Sequence, residues 1–396
     1  MTRLAPRESA VLLVALATFT DLLAYAVAVP VLPDLATRLG ASPTEIGLLF
    51  GSFGLSLLAV SVPMGAVSDR VGRRTPLIAA MVALAGATWM FAGSASLPAL
   101  LAGRLVQGAA DAVTWSVGLA LVADLYGPAE RGRVMGLVMS ATGLGIVLGP
   151  PLGGWLYELG GVRLPFLTVS LLAAALAVGF LFLPLPPPAA AAGRVPLARV
   201  LRNRELVACA AAAVAGSATI AMLEPVLPLH FDERLGLSPG GVGLLFGCAA
   251  VASTLTHPLW GRLSDRRGGR RLMLLGLALS ALLLPLLALP AGALAAAAVM
   301  VALWPALGMT ITPALALMGD AASRARLESF GVVYGLYNVA WGVGLLGGPA
   351  AGGFLLERLG FATLLLAWSP ALLACTLAIA VASRDSRAVA GRPGAA

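Results

Sequence analysis

The sequence predicts an all-α membrane protein with twelve transmembrane helices in two six-helix bundles that are pseudo-repeats of each other. Three observations predict this fold class: the apolar composition, the distribution of arginine and an internal repeat. The 396 residues are 59% hydrophobic and only 11% charged. A soluble protein of this length would carry far more charge on its surface, so most of the chain is expected to lie in a lipid bilayer.

Twelve apolar stretches are long enough to cross a bilayer, which takes about 20 mostly apolar residues. They lie near residues 9–32, 43–67, 74–93, 97–123, 132–155, 164–184, 205–229, 238–263, 271–290, 292–318, 329–354 and 361–382. The longest stretch outside them contains three consecutive prolines and a run of small residues, which is typical of a linker. We therefore predict an N-terminal bundle over residues 1–184, a cytoplasmic linker over 185–204 and a C-terminal bundle over 205–396.

The distribution of arginine predicts the topology. All 26 basic residues are arginine: 21 fall on one side of the membrane, four on the other, and Arg104 lies inside a span. Because positive residues concentrate on the cytoplasmic side, we expect an inner-membrane protein with both termini in the cytoplasm. The net charge of +8 thus reflects topology, and no binding to nucleic acid is expected.

The two halves share ordered blocks of sequence. Residues 30–33 recur at 225–228, residues 47–51 at 243–247, and the loop at 65–74 recurs at 261–271. Late in each half, a run of glycines around a proline at 145–154 recurs at 344–353. A parallel repeat of six spans plus six is typical of transporters whose two bundles rock about a site near the middle of the membrane.

The loop after the second span resembles the signature loop of the major facilitator superfamily, position by position. In that family the loop acts as a conformational latch between the halves. The resemblance implies this role for residues of both copies: Gly65, Asp69, Arg70, Gly72, Arg73, Arg74, Asp265 and Arg266. A plain positively charged cytoplasmic loop is the alternative interpretation.

The fourth span contains Arg104-Leu-Val-Gln107-Gly108, which resembles the family's motif in that span. An arginine at membrane depth is costly unless it is paired or hydrated. Arg104, Gln107 and Asp111 fall on one helical face, so Asp111 is the expected partner of Arg104. Both a structural ion pair and a role in coupling remain open.

The glycine run in the fifth span resembles the antiporter motif of the drug:proton exporters. The residues that carry this resemblance are Gly145, Gly149, Pro150, Gly153 and Gly154. Closely spaced glycines also serve ordinary helix packing, and the copy in the eleventh span indicates that the pattern follows partly from duplication.

Within that group, ordered short stretches such as Leu223-Glu224-Pro225 are most similar to vesicular amine transporters and bacterial multidrug exporters. The resemblance implies the major facilitator fold and transport driven by protons. It also has departures: the lysine and aspartate that those amine transporters pair in spans 2 and 11 correspond here to Phe53 and Asn338.

Asp21 and Glu224 lie inside the first and seventh spans, and neither has an acidic counterpart in the other half. Apolar surroundings favour the uncharged form of a carboxyl group, so such acids can take up and release protons. We expect proton coupling to depend on Asp21, Glu224, Arg104 and Asp111, with Asp21 as the proton carrier. Glu224 is the expected cation contact, because the two prolines that follow it should break the helix. Static, hydrogen-bonded acids are the alternative.

Aromatic rings bind cations and apolar ligands, so we expect them beside these acids. The expected substrate-binding residues are Asp21, Tyr25, Trp115, Glu224, Trp304, Tyr334, Tyr337, Asn338 and Trp341. The apolar walls favour a proton-coupled antiporter that exports small hydrophobic or cationic compounds through the lipid bilayer, and a monomer is the default expectation for its oligomeric state. A facilitator or symporter for a neutral metabolite such as a sugar is the alternative. No nucleophile–base pair, phosphate loop or metal-ligand cluster is apparent, so no enzyme activity, cofactor or metal is expected.

Overall fold

The computed structural model describes residues 6–183, 203–324 and 330–390. The described residues form twelve long α-helices and contain no strand. A 3₁₀ turn over Leu284–Ala288 continues the ninth helix. In chain order the helices are α1 Pro6–Arg38, α2 Pro43–Val71, α3 Arg74–Gly93, α4 Leu97–Leu125, α5 Pro128–Gly160, α6 Arg163–Phe182, α7 Arg204–Leu235, α8 Pro239–Arg267, α9 Gly269–Leu283, α10 Ala293–Arg324, α11 Phe330–Leu359 and α12 Phe361–Ala390.

Twelve helices of the described chain are long and apolar enough to cross a membrane. This result confirms the predicted number of spans and the all-α class. Local chemistry sets some helix ends. At the start of α2, the Ser42 hydroxyl accepts a hydrogen bond from the backbone N–H of Glu45 at 3.3 Å, and the Glu45 carboxylate accepts one from the Ser42 N–H at 2.8 Å. The reciprocal pair satisfies two N–H groups that a helix start leaves without partners.

The turns repeat between the two halves. Six described glycines have positive φ, which residues with a Cβ atom rarely adopt. They form three pairs: Gly40 and Gly236 after the first helix of each half (83° and 62°), Gly72 and Gly268 after the second (84° and 90°), and Gly161 and Gly360 after the fifth (63° and 76°).

The helix boundaries repeat as well. The starts of α2 and α8 lie 196 residues apart, at Pro43 and Pro239, and those of α4 and α10 have the same separation, at Leu97 and Ala293. The constant spacing gives each position of α4 a counterpart in α10.

The chain divides into two compact units. One contains α1–α6 together with residues 224–247, which are the end of α7 and the start of α8. The other contains the first part of α7, up to Leu223, and the chain from Cys248 onward. Most of the predicted linker, residues 185–202, lies outside the described residues. The predicted domain boundaries stay predictions.

In the first unit, glycines of α5 let this helix pack closely along α1. A Cβ atom on Gly145 would lie 3.0 Å from the backbone nitrogen of Leu23, and one on Gly153 would lie 3.0 Å from the Cα atom of Val27. Two helix backbones approach this closely only where the side chain is a hydrogen atom.

In the second unit, α11 packs on the first part of α7 in the same way. A Cβ atom on Gly344 would lie 2.7 Å from the backbone nitrogen of Ala218, and one on Gly352 would lie 2.5 Å from the Cγ atom of Met222. Gly344 and Gly352 are the sequence counterparts of Gly145 and Gly153, so the repeat preserves helix packing.

Candidate functional site

Arg104 is the largest fully buried side chain of the first unit and lies in α4, with none of its surface exposed. Its Nη1 atom donates a hydrogen bond to Gln107 Oε1 at 2.7 Å. The guanidinium carbon lies 4.7 Å from the ring centre of Phe50 and 5.3 Å from those of Tyr25 and Phe53. Three aromatic rings thus surround a buried cation, an arrangement stabilised by cation–π attraction.

Glu224 brings the end of α7 into this cluster. The Tyr25 hydroxyl donates a hydrogen bond to Glu224 Oε2, and the Glu224 carboxylate is also attracted by the charge of Arg104. Tyr25 therefore lies between the acid and the base: its hydroxyl group binds Glu224 and its ring faces Arg104. We call Tyr25, Phe50, Phe53, Arg104, Gln107 and Glu224 the arginine cluster.

The helix that carries Glu224 is continuous, contrary to the expectation that two prolines would break it. Pro225 and Pro228 lie inside α7, which runs from Arg204 to Leu235. Proline has no N–H group, so here the helix lacks the two donors that would regularly bond the carbonyl groups of Ala221 and Glu224, four residues earlier. The prolines therefore remove backbone donors near Glu224 without interrupting the helix.

Asp21 lies in α1 and is buried, with 2% of its surface exposed. No N–H or O–H donor of the described residues reaches either of its carboxylate oxygens. Asp21 interacts instead with Asp111 of α4: the two carboxyl groups repel each other when both are ionised and lie within hydrogen-bonding reach of each other. The predicted ion pair between Arg104 and Asp111 is therefore wrong: Arg104 binds Gln107 and the rings, and Asp111 faces Asp21.

The remaining predicted substrate-binding residues separate between the units. Trp115 is half-buried in α4 of the first unit. In the second unit, Tyr337 stacks on Trp341 with ring centres 6.2 Å apart, and Asn338 beside them is half-buried. Trp304 of α10 is buried. The side chain of Tyr334 lies outside the described residues.

Sequence reasoning missed Phe50 and Phe53 as site residues. They lie three residues apart in α2 and therefore on the same helical face, and both rings contact the Arg104 guanidinium. The sequence signal for Phe53 was its alignment with the span-2 lysine of the amine transporters, which this chain replaces by phenylalanine. A lysine there would put a second cation against Arg104, whereas a phenylalanine ring stabilises the single one.

Arg73 joins the end of α2 to the end of α4. It donates hydrogen bonds to Ser68 Oγ at 2.6 Å, to Asp69 Oδ1 at 2.7 Å and to Asp124 Oδ2 at 2.8 Å. Burial opposes the charge of Arg73, but the hydrogen bonds and charges of Asp124 and Asp69 outweigh it and raise its pKa above the ordinary value. All these groups belong to one unit, so the contacts brace that unit; a latch between the halves stays a prediction.

The next arginine of the loop makes the same contact in both copies. Arg74 donates from Nε to the carbonyl oxygen of Phe180 in α6 at 3.0 Å. Its counterpart Arg270 donates from Nη2 to the carbonyl oxygen of Ala380 in α12 at 2.7 Å. Each arginine ties the start of the third helix of its half to the sixth.

The other predicted latch residues have no comparable contacts. Gly269 stands where the first copy has Arg73, and the described residues show no ion pair at Asp265. Arg70 and Arg266 are exposed, and the surroundings of Gly65 in α2 lie outside the described residues.

The last glycine of the fifth-span run faces α8. A Cβ atom on Gly154 would lie 2.8 Å from the Cα atom of Gly240, and one on Gly243 would lie 3.0 Å from the carbonyl carbon of Pro150. The Glu158 carboxylate accepts a hydrogen bond from the Gly240 N–H at 3.2 Å. The run thus packs α5 on two neighbours, and a role in antiport stays a prediction.

Known proteins resemble this chain over most of its length. The family model of the Major Facilitator Superfamily matches residues 14–223 and 207–396. The human MFS-type transporter SLC18B1 is 28% identical over 375 residues, which cover 90% of this chain and 82% of that protein. The human chromaffin granule amine transporter is 29% identical over 325 residues, covering 80% of this chain and 61% of that protein. The chain therefore spans less than two thirds of the amine transporter's length.

Solved structures share the fold. A bacterial homolog of the human lysosomal transporter Spinster, in an inward-facing and occupied conformation, matches with a TM-score of 0.81 at 15% identity, covering 97% of this chain and 98% of that one. The nucleoside transporter NupG matches with a TM-score of 0.75 at 15% identity, covering 94% and 98%. Since the family model matches nearly all of the sequence, the chain belongs to the Major Facilitator Superfamily and is a multi-pass membrane transporter of a small molecule.

Proposed function

We propose that the chain is a proton-coupled antiporter that exports small hydrophobic or cationic compounds by alternating access. The observation that carries the proposal is the arginine cluster, in which a buried acid, a buried base and three aromatic rings meet. Relatives named as amine transporters support an organic cation as the substrate class. The arginine distribution supports an inner-membrane protein with both termini in the cytoplasm.

The proposed substrate contact is the Glu224 carboxylate. With Glu224 ionised, its charge cancels that of Arg104, and a substrate cation gains attraction from the carboxylate and from aromatic rings. Glu224 is 8% exposed, whereas Arg104 is fully enclosed. The acid is therefore the accessible member of the pair, and the arginine is shielded from the substrate by rings.

Protonation of Glu224 reverses this balance. The carboxyl group becomes neutral, Arg104 keeps its charge, and the cluster carries one net positive charge. At close range in an apolar interior, that charge repels a substrate cation strongly. Proton binding and cation binding therefore exclude each other at Glu224, which is the condition for exchange. If the unloaded carrier resets in its protonated form, a proton gradient drives export.

The test uses purified protein in liposomes with an imposed pH gradient and a panel of lipophilic cations and primary amines. We expect substrate to accumulate in the acidic interior of inside-out liposomes and to leave when an ionophore collapses the gradient. Glu224→Gln keeps an acceptor for the Tyr25 hydroxyl but cannot ionise, so gradient-driven accumulation should fall to the level of empty liposomes. Glu205→Gln, an acid in the first turn of the same helix, is the matched control and should transport normally.

Two results would contradict the proposal. Full gradient-driven accumulation by Glu224→Gln would remove the acid from the coupling step. Equilibration of a sugar or another neutral metabolite, unaffected by the pH gradient, would identify a facilitator instead.

A further inference from the structure

We infer that Asp21 and Asp111 form one proton-binding site, in which two carboxyl groups share a single proton, separate from the arginine cluster. The inference deepens the proposed function and rests on it for its role in transport. Besides the proton that Glu224 takes up, it places a second proton between two helices, α1 and α4, where the sequence predicted a single carrier, Asp21.

The described residues around Asp21 donate no hydrogen bond to its carboxyl group. Both oxygens are buried, and no N–H or O–H donor of the described residues reaches them. The threonines three residues from each acid along its helix donate to the backbone: Thr18 to the carbonyl of Ala15 at 3.1 Å, and Thr114 to that of Ala110 at 2.9 Å. An ionised carboxylate without a partner at this depth is very costly.

The helices around the pair add no further charge. Between their ends, α2, α3, α5 and α6 carry no titratable side chain over residues 46–68, 76–93, 134–156 and 164–182. Titratable groups near the pair thus come from α1, α4 and the end of α7. Tyr25 and Glu224 bind each other, and Arg104 is held by Gln107 and the rings.

A proton shared by Asp21 and Asp111 lowers the negative charge of the pair and also supplies the hydrogen-bond donor that Asp21 lacks. Two ionised carboxylates within hydrogen-bonding reach repel each other, so one proton between them is strongly favoured. The protonated acid then supplies the O–H donor that the ionised acid otherwise lacks. Asp111 is the more exposed member, at 8% against 2% for Asp21, so the proton enters and leaves on the Asp111 side.

The shared proton also links protonation to helix position. The two acids lie on different helices, so a displacement of α1 against α4 changes the distance between their oxygens and hence the strength with which they hold the proton. The arginine cluster spans the same helices through Tyr25 and Arg104. A cation that binds at Glu224 can therefore loosen the proton at the pair without touching it.

The test compares Asp21→Asn, Asp111→Asn, the double variant and Glu224→Gln as purified full-length protein in detergent. An amide puts an N–H donor where the shared proton was, so the single variants are expected to fold, which gel filtration and thermal unfolding check. Proton release during alkaline titration is counted with an indicator dye, and the infrared carbonyl band of protonated carboxyl groups is recorded in parallel.

We expect each single variant to lose the same one proton and the same carbonyl band, and the double variant to lose no more. Glu224→Gln should keep that band. Independent losses, with two protons missing only in the double variant, would overturn the pair, and so would displacement of the proton by sodium. The proposed function fails separately: the band without gradient-driven transport in the wild type refutes antiport and leaves the pair intact.

Discussion

The fourth helix of each half occupies the same place in the repeat, yet the two helices bury different kinds of side chain. Helix α4 buries charged and polar side chains, whereas α10 buries apolar ones at the positions 196 residues later. The three pairs of counterparts are Arg104 and Met300, Gln107 and Leu303, and Asp111 and Leu307, all buried. Because methionine and leucine fill the same frame, the fold does not require charge there. Burying charge is costly, so we propose that the charged and polar groups of α4 are kept for the candidate site and not for the architecture.

The strongest test of this difference replaces Arg104 of α4 by methionine, the residue that α10 has at Met300. Arg104→Met keeps most of the side-chain volume but leaves Glu224 without its balancing cation. Removing one partner of a buried charged pair costs about 3–5 kcal/mol, so we expect gradient-driven transport to fall by roughly 100-fold or more. The measurement is initial uptake rate in liposomes at equal protein density.

Two controls accompany this variant. Met300→Leu in α10 conserves volume and should change stability by less than about 1.5 kcal/mol, with transport retained. Arg104→Lys keeps the charge but loses the planar group that stacks on rings and bonds Gln107, so its rate should lie between those of the wild type and Arg104→Met. Wild-type transport by Arg104→Met would show that the cation is dispensable.

The next comparison concerns the glycines that pack the first helix of each half. A Cβ atom on Gly153 would meet the backbone of Val27, at 2.8 Å from its carbonyl oxygen, whereas one on Gly352 would lie 2.5 Å from the Cγ atom of the Met222 side chain. Backbone cannot move aside as a side chain can, so Gly153→Ala should destabilise the protein by about 2 kcal/mol and Gly352→Ala by less than about 1 kcal/mol. Unfolding in mixed detergent measures the difference.

Glycines in open space provide the matched control. Nothing lies within 4 Å of a Cβ atom on Gly143 in α5 or Gly347 in α11. Alanine at these positions should be neutral or slightly stabilising, since it favours the helix by roughly 0.5–1 kcal/mol over glycine. Equal losses for Gly153→Ala and Gly143→Ala would contradict the packing explanation.

The loops after the second helix of each half differ at the position of Arg73, which is Gly269 in the second loop. Arg73→Gly gives the first loop the residue of the second, Gly269, and removes the hydrogen bonds to Asp69 and Asp124. Hydrogen bonds to charged groups contribute about 1.5–3 kcal/mol when buried, and solvent weakens these partly exposed ones. We expect a loss of about 2 kcal/mol in detergent unfolding and a severalfold fall in transport.

The reverse exchange should not create a second brace. A Cβ atom on Gly269 would lie 2.6 Å from Ser264 Oγ and 3.1 Å from Leu317 Cγ. These two side chains leave no room for an arginine side chain at this position of the second loop. Gly269→Arg is therefore expected to destabilise the protein. A stability gain in that variant would show that the closed space can open.

The fold could be predicted from the sequence because the backbone of a long apolar run finds no water in the bilayer. Its N–H and C=O groups must hydrogen-bond to each other, and a helix satisfies them within a single run. The predicted span at 97–123 and the observed helix Leu97–Leu125 differ by two residues. Part of the candidate site also follows from the sequence, since Asp21, Arg104 and Glu224 are charged residues inside apolar spans, where charge is rare.

The partners within the site could not be predicted from periodicity alone. Seven residues along a helix correspond to about 10 Å, so Arg104 and Asp111 share a face of α4 but not a level. Each side chain meets groups of other helices at its own level: Asp111 meets Asp21 of α1, and Arg104 meets Phe50 of α2. The helix that packs against α4 at each level is set by the tertiary fold, and the sequence of α4 alone does not specify it.

The smallest expected effect is at the C-terminal ends of α1 and α5, where Arg38, Asp34 and Tyr157 bind one another. Arg38 pairs with Asp34 at 3.0 Å and donates to the Tyr157 hydroxyl at 2.5 Å, and that hydroxyl donates to Asp34 at 2.8 Å. The second half keeps the arginine as Arg234.

The Arg38 side chain is 62% exposed, and exposed ion pairs contribute about 0–1 kcal/mol. Tyr157→Phe should therefore lower stability by less than about 1 kcal/mol and leave transport unchanged, with the remaining difference shrinking as salt is added. A salt-independent loss of several kcal/mol would show that this end of α5 is held by its hydroxyl group and not by the glycine packing on α1.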